Sequence, residues 1–430
     1  MRSPDEPVLS AVAPPLSITK RFIFAAASTP LADPMAPSTA DSSPSLTPDP
    51  PPPPNLSSAY APSTSPSTPP ATFGGFAFFS PASYLYNHVC RRLCRTVNAI
   101  VVSASAINDA ACRSDGTVNR RLVSLLDARS SASAKPVLGI RTVDVPVDTS
   151  RDVWFRLFIP CSDSAGLKIP VIVYFHGGGF AFFSPASYLY NHVHVCRRLC
   201  RTVNAIVVSV NYRLAPEHRY PAPYEDGVDV LRLLDRGGLL YADPLAADLA
   251  DLSRCFLVGD SAGANICHHV ARRWAAGAGS GWKRLRLAGM VLIQPYFGGE
   301  ERTEAEVRLA GAPLVTVERT DWLWRAFLPE GADRDHEASN VFGSRATGEL
   351  EEALPAALVV VGGFDPLQDW QRRYYEGLKA RGKEARLVEY PEAFHGFFAF
   401  PDPKQSAVFM EEVRSFIEGH RPSKENTGGC

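Results

Sequence analysis

The chain has 430 residues, with 44 Lys and Arg against 45 Asp and Glu for a formal net charge of −1. That balance, without a basic run interleaved with aromatics, argues against a nucleic-acid partner. No apolar stretch reaches the roughly 18 residues a transmembrane helix needs, so no part should span a membrane. The length suits one large α/β domain or two ordinary ones. The nine cysteines are odd in number and lack C-x-x-C spacing. Cys255 and Cys267 sit in apolar patterns, so they read as reduced thiols of a cytoplasmic protein.

Residues 1–72 are a different material from the rest. About half of the chain's 37 prolines fall there among Ser, Thr and Ala, including the run Pro50–Pro54. Such a segment buries too little apolar surface to offset its chain entropy and reads as disordered. Lys20-Arg21 before Phe22–Ala27 faintly resembles a signal core, but it starts too far in. Asp5, Glu6, Asp33, Asp41 and Asp49 also argue against a transit peptide. The expected location is the cytoplasm, or cytoplasm and nucleus, rather than an organelle.

Residues 74–103 repeat residues 178–209, except that the later copy carries two extra residues, His194-Val195. Two copies do not make a solenoid, which needs about three stacking units. The first copy, within a segment 73–106, lacks the strand and the His-Gly that precede the second. It should therefore carry no chemistry. Two residues inserted within a helix rotate every downstream side chain by about 200°, so either the helix of the second copy starts later or a bulge absorbs the pair.

The organised domain is expected over 107–420, before a disordered tail at 421–430. Asp115-Gly116-Thr117 precedes an amphipathic stretch, Val118–Leu126, that suits a flap over a site or a packed N-terminal helix. Two alternating runs, Gly139–Val145 and Val153–Phe158, suit an antiparallel start to a sheet. Strand-like runs then alternate with helical patterns: Val171–Phe175, Ala205–Val210, Cys255–Val258, Gly289–Gln294, Ala357–Val361 and Ala385–Tyr390. The pattern predicts an α/β fold with an eight-stranded, mostly parallel sheet and helices on both faces.

The chemistry centres on Gly259-Asp260-Ser261-Ala262-Gly263. An apolar strand runs into this G-x-S-x-G and an amphipathic helix leaves it, the setting a nucleophile elbow requires. Without that setting the motif is only a Gly-rich turn. Ser261 would project at the mouth of the sheet, with the helix N-terminus favouring developing negative charge. Upstream, Val171–Phe175 ends in His176-Gly177-Gly178-Gly179-Phe180. Successive glycines there let backbone N–H groups face inward, as an oxyanion hole needs. Gly177, Gly178 and Gly179 with Ala262 are the expected elements of it. The loop lacks both phosphate-binding signatures, G-x-x-x-x-G-K-[ST] and G-x-G-x-x-G.

Acid and base should come later in the chain, in the order Asp, then His. Ala357–Phe364 leads directly into Asp365; Asp369 competes but lies four residues into a helical start. Among the histidines, His268 is about 10.5 Å along its helix axis from Ser261, too far to take its proton. His176 reads as a brace for the glycine loop. His192, His194, His218, His336 and His420 lack a strand-end setting, which leaves His395 in Pro391–Phe397. Phe180, Phe182, Phe183 and Trp324 are candidate pocket walls and equally candidate core residues. No metal site or cofactor is expected: Cys196 and Cys200, like Cys90 and Cys94, have i, i+4 spacing on one helix face.

Taken together, His-Gly-Gly-Gly at 176–179, Asn211–Glu217 (NYRLAPE), Gly-Asp-Ser-Ala-Gly at 259–263, Asp365 and His395 resemble the hormone-sensitive-lipase-like branch of the α/β-hydrolases. More narrowly, they resemble the plant carboxylesterases, a group that includes gibberellin receptors and 2-hydroxyisoflavanone dehydratases. The resemblance covers about residues 107–420. It implies an α/β-hydrolase fold with a small helical cap, with Ser261 as nucleophile, His395 as general base and acid, and Asp365 as orienter of the imidazole. It further implies a small-molecule ester as partner. The receptors of the group have lost the triad histidine, and this chain keeps it. Ligand binding without turnover and dehydration of a hydroxylated flavonoid are the rival activities the group implies.

Overall fold

Ile169–Phe175, all apolar but for one tyrosine hydroxyl, is buried along its whole length as strand β3. Its side chains alternate between two cores. Val171, Val173 and Phe175 enter one, Ile172 and Tyr174 the other. Cys255 and Leu257 against Phe256 and Val258 split the same way in β5 (Ala250–Asp260). A strand buried on both faces needs helices on both sides, and burying each such side chain is worth about 1.5–3 kcal/mol.

The structure, a computed structural model, describes residues 109–420 apart from 162–166, 192–194, 280, 313, 347 and 400–402. The Pro-rich segment, the first copy of the repeat, the 421–430 tail, and His192 and His194 lie outside the described residues. The remaining strands are β1 (Ile140–Asp148), β2 (Val153–Pro160), β4 (Ile206–Asn211), β6 (Leu287–Ile293), β7 (Ala357–Phe364) and β8 (Ala385–Phe394). They form one sheet in the order β1-β2-β4-β3-β5-β6-β7-β8. The first two pairings are antiparallel and the rest parallel.

The helices are α1 (Arg120–Leu126), α2 (Cys196–Val203), α3 (Ala222–Asp235), α4 (Ala262–Ala276), α5 (Val317–Phe327), α6 (Gln368–Ala380) and α7 (Pro403–Gly419), beside shorter turns. Apolar residues of α3, α4 and α6 cover one face of the sheet, and those of α2 and α7 the other. The helix of the repeat's second copy starts at Cys196, directly after Val195, and buries Cys196, Leu199, Cys200 and Val203. The inserted pair therefore precedes the helix and does not rotate its apolar face. Among the described residues all six cysteines are free, with Cys161 exposed, and no helix is long and apolar enough to cross a membrane.

The amphipathic stretch before the sheet is packed. Ala111, Val118 and Val123 form a small cluster with Ala181 and Phe182 of the glycine loop, flanked by Trp322 and Leu323 of α5. Arg120 fastens it, its guanidinium donating to the carbonyls of Ala181 and Ala215 and pairing with Glu217. Arg319 holds Asp109 through both of its oxygens. This segment and α5 thus pack against the glycine loop that follows β3.

Candidate active site

Three elements of the site follow the carboxyl ends of β5, β7 and β8, parallel strands with only β6 among them. β5 ends at Asp260, and Ser261 takes φ 52°, ψ −117° before α4 begins. That conformation is strained for a side-chain-bearing residue, and it is held from both sides. The Ser261 N–H donates to Ile293 O at 2.9 Å, and its carbonyl accepts from the amides of Ala264, Asn265 and Tyr296. The glycines make the turn possible through close approach, because a Cβ on Gly263 would collide with the carbonyl oxygen of Phe175. Ser261 is the one partly exposed residue between the buried end of β5 and the buried start of α4.

β7 delivers Asp365, which is 0% exposed. Its Oδ1 accepts from the Leu367 amide at 2.9 Å. Its Oδ2 accepts from Gln371 Nε2 at 2.8 Å and from His395 Nδ1 at 2.7 Å. Because a carboxylate only accepts, that last contact puts a proton on Nδ1 and leaves Nε2 as the free basic nitrogen. His395 comes directly after β8 and is 8% exposed. Burial alone would push its imidazole down. The charge and hydrogen bond of Asp365, with Asp260 behind it, outweigh this and hold it above the ordinary histidine value. The competing acid, Asp369, is committed elsewhere and accepts from the Ala305 amide at 2.8 Å.

The structure thus joins Asp365 and His395 directly and places Asp260, the neighbour of Ser261, within electrostatic reach of His395. Among the described residues no hydrogen bond joins the Ser261 hydroxyl to His395; in ligand-free sites such bonds are often long and tighten with substrate.

The glycine loop departs from the sequence expectation at one position. The Gly177 N–H donates to Asp260 Oδ1 at 3.0 Å and to the Tyr190 hydroxyl at 3.2 Å. An amide spent on a buried carboxylate cannot serve an oxyanion, so Gly177 is removed from the expected donors. Gly178 and Gly179 take φ +102° and +59°, and their amides, like that of Ala262, meet no acceptor among the described residues. His176 is buried, stacks on Tyr212 at 4.3 Å and lies 2.9 Å from the Gly177 carbonyl. Burial pushes it down to about 4, so it braces the loop as a neutral ring.

The NYRLAPE segment is the scaffold behind that loop. The Tyr212 hydroxyl donates to His176 O at 2.7 Å, the Ala215 amide donates to Phe180 O at 2.9 Å, and Arg213 is anchored on Asp226. Of the candidate pocket walls, Phe180 and Trp324 are core: Phe180 stacks on Phe327 at 3.8 Å, and Trp324 on Tyr296 at 4.3 Å. Phe182 is also buried, within the small cluster under the N-terminal segment. Phe183 is half-buried against Tyr190.

Sequence reasoning passed over three polar residues. Asp260 is the variable position of the G-x-S-x-G motif. Buried, it accepts from the hydroxyls of Tyr174 at 2.6 Å and Tyr190 at 3.0 Å as well as from Gly177, and burial raises it to about 6 despite those donors. Gln294 and Gln371 both donate to Asp365. A polar residue directly after a wholly apolar strand, as Gln294 is after Ile293, was the available signal. Among the described residues no group of His, Cys, Asp and Glu could hold a metal ion.

Comparison with known proteins points the same way. The family profile described as α/β hydrolase fold matches residues 172–399. The gibberellin receptor GID1C of Arabidopsis thaliana is 41% identical over 317 residues, covering 71% of this chain and 88% of the receptor. Carboxylesterase 20 of the same plant is 35% identical over 312 residues, covering 70% and 93%. Among solved structures, a hyperthermophilic esterase from the archaeon Pyrobaculum calidifontis superposes with a TM-score of 0.56 at 26% identity, covering 79% of this chain and 98% of the esterase. The chain belongs to the plant hormone-sensitive-lipase-like branch of the α/β-hydrolase family.

Proposed function

We propose that this chain is a serine carboxylesterase acting on small or medium neutral esters. In this reading His395 Nε2 takes the Ser261 proton as Oγ bonds to the ester carbonyl carbon. The amides of Gly178, Gly179 and Ala262 hold the oxyanion. The C–O bond to the alcohol then breaks, with the alcohol leaving on the proton from His395, and water attacks the acyl-serine by the same route in reverse. The observation that carries it is the imidazole aligned on a buried carboxylate, with its basic nitrogen left free. Ligand capture alone gives no reason to bury such a pair at the sheet edge that also carries a strained serine.

The test is labelling of the full chain with a fluorophosphonate, beside Ser261→Ala. Wild type should label and the variant should not; an unlabelled wild type would sink the proposal. The likeness to a gibberellin receptor supports a second reading, in which the same pocket binds a small ligand without turnover. A protein that leaves a chromogenic short-chain ester intact while binding a gibberellin would favour that reading.

The glycine loop gives a separate expected result. A Cβ on Gly178 would lie 2.6 Å from Phe182 O and 2.7 Å from the Phe183 ring, at a φ that a side-chain-bearing residue rarely adopts. Gly178→Ala should therefore tilt the loop and lower kcat by roughly 10²–10³-fold with little change in KM, because the oxyanion exists only beyond the ground state. Steady-state kinetics on a p-nitrophenyl ester reads both constants, and an equal effect on KM with kcat intact would count against this oxyanion role.

A further inference from the structure

We propose that Gln294 is a positioning residue for the acid–base pair, clamping the backbone on both sides of His395 while holding the carboxylate that orients it. The inference rests on the esterase reading. Gln294 comes directly after β6, which lies between the strand carrying Ser261 and the strand carrying Asp365. It is 1% exposed, and its backbone takes φ 45°, a left-handed conformation that only an over-determined position retains.

One side-chain amide there makes three hydrogen bonds, each to a different part of the pair. Nε2 donates to Asp365 Oδ2 at 3.1 Å, the oxygen that also accepts from His395. It donates as well to Phe394 O at 3.2 Å, the carbonyl before His395. Oε1 accepts from the Gly396 N–H at 2.7 Å, the amide after it. The Gln294 backbone N–H donates to Val360 O of β7 at 2.9 Å, which fixes the distance from the clamp to the acid.

Room for the amide is built in. A Cβ on Gly362 would come to 2.5 Å of Gln294 Nε2 and 2.6 Å of Ala393 O. The polarity is also specific, because two donors must face Asp365 and Phe394 O while one acceptor faces Gly396. A carboxylate would set oxygen against oxygen, and a thioether offers neither the donor that Asp365 and Phe394 O take nor the acceptor that the Gly396 N–H takes. His395 sits on a short loop directly after the edge strand β8. Fixing residues 394 and 396 fixes the direction of Nε2, and a misplacement of about 1 Å at this point is enough to cost roughly 10²-fold in rate.

The test compares the full-length wild type with Gln294→Met, which keeps volume without the amide, and Gln294→Glu, which keeps shape and sets a carboxyl against Asp365. The first readout is the low-field proton NMR resonance of His395 Nδ1–H, assigned by its loss in His395→Gln and monitored across pH. It needs no turnover. The charges facing His395 are Asp365 and Asp260; the carboxyl of Gln294→Glu would lie against Asp365 and share a proton with it, so that variant should displace the resonance and change its pH dependence. Gln294→Met should lose or displace the resonance. The second readout is turnover of p-nitrophenyl acetate, where Gln294→Met should lower kcat by roughly 10²-fold with KM nearly unchanged.

A folded Gln294→Met with wild-type resonance and kcat would overturn the proposal, as would a folded Gln294→Glu whose resonance keeps the wild-type position and pH dependence. Loss of fold in both variants would assign the residue to stability alone and overturn it too. If wild type turns over no ester, the esterase reading fails, and the resonance still decides whether Gln294 positions His395.

Discussion

Asp365→Asn should lower kcat for a chromogenic short-chain ester by roughly 10⁴-fold and move the acid limb of kcat/KM to lower pH. The size of the effect comes from the wiring of the carboxylate. Leu367 N–H donates to one oxygen, and Gln294, Gln371 and His395 donate to the other. Every neighbour is a donor, and an amide brings a donor of its own. If its NH₂ takes the Oδ2 place, it faces two glutamine amides. His395 must then accept at Nδ1, which puts the ring proton on Nε2, where the base should be. If NH₂ takes the Oδ1 place, it faces the Leu367 N–H with nothing to accept either proton. Each unmatched buried donor costs about 1–3 kcal/mol, so some stability is lost beside the rate. The limb moves because Asp365 is what lifts His395 above its ordinary value against the pull of burial. The base must be neutral to act, so activity falls as pH drops through that raised value and, in the variant, through a lower one. A pH–rate profile of a folded variant within tenfold of wild type would refute the assignment of Asp365, and Asp369, tied to Ala305, could not be the substitute.

The features legible in the sequence were those whose requirements are local. Ser261 is marked by glycines at 259 and 263, and both are demanded by backbone that passes within collision range of a Cβ. Asp365 and His395 are marked by the ends of strands β7 and β8, so burial runs and strand ends sufficed. Partnerships across long separations stayed hidden. Asp260 meets Tyr174 and Tyr190 at sequence distances of 86 and 70, and no periodicity encodes that. The same limit explains Gly177. Gly178 and Gly179 after it have amides without an acceptor among the described residues, and its own amide is captured by a carboxylate at the end of the neighbouring strand β5. Phe180 and Trp324 show a different limit. An aromatic beside an active-site loop looks alike whether it lines open space or fills a core, and only the stacking partners Phe327 and Tyr296 decide between them.

Asp260 leads to the second large effect, and its sign runs against intuition for a residue with three hydrogen bonds. Burial holds its carboxyl at about 6, above the ordinary 3.8, even though Tyr174, Tyr190 and Gly177 all donate to it. A carboxyl whose folded value is raised contributes stability below its unfolded value and loses it as pH rises through the folded one. Wild type should therefore lose on the order of 3 kcal/mol relative to Asp260→Asn between about pH 4 and pH 6, with no further change above. Asparagine can keep Tyr174 and Gly177 on its oxygen while its amide donates to the Tyr190 hydroxyl, so the fold should survive at pH 8 with stability near or above that of wild type. Asp260→Leu should behave otherwise. It leaves the hydroxyl protons of Tyr174 and Tyr190 without the acceptor they had and the Gly177 amide with Tyr190 alone, in a buried site, and should cost roughly 3 kcal/mol or more at every pH. Because Asp260 also supports the charged form of His395, Asp260→Asn should shift the acid limb of kcat/KM downward, an effect the leucine variant cannot report if it unfolds. Urea midpoints of wild type and Asp260→Asn from pH 4 to pH 8 decide the matter. A difference that stays flat across that range, or that grows in favour of wild type as pH rises, would mean that the carboxylate is not carried at a cost beside Ser261.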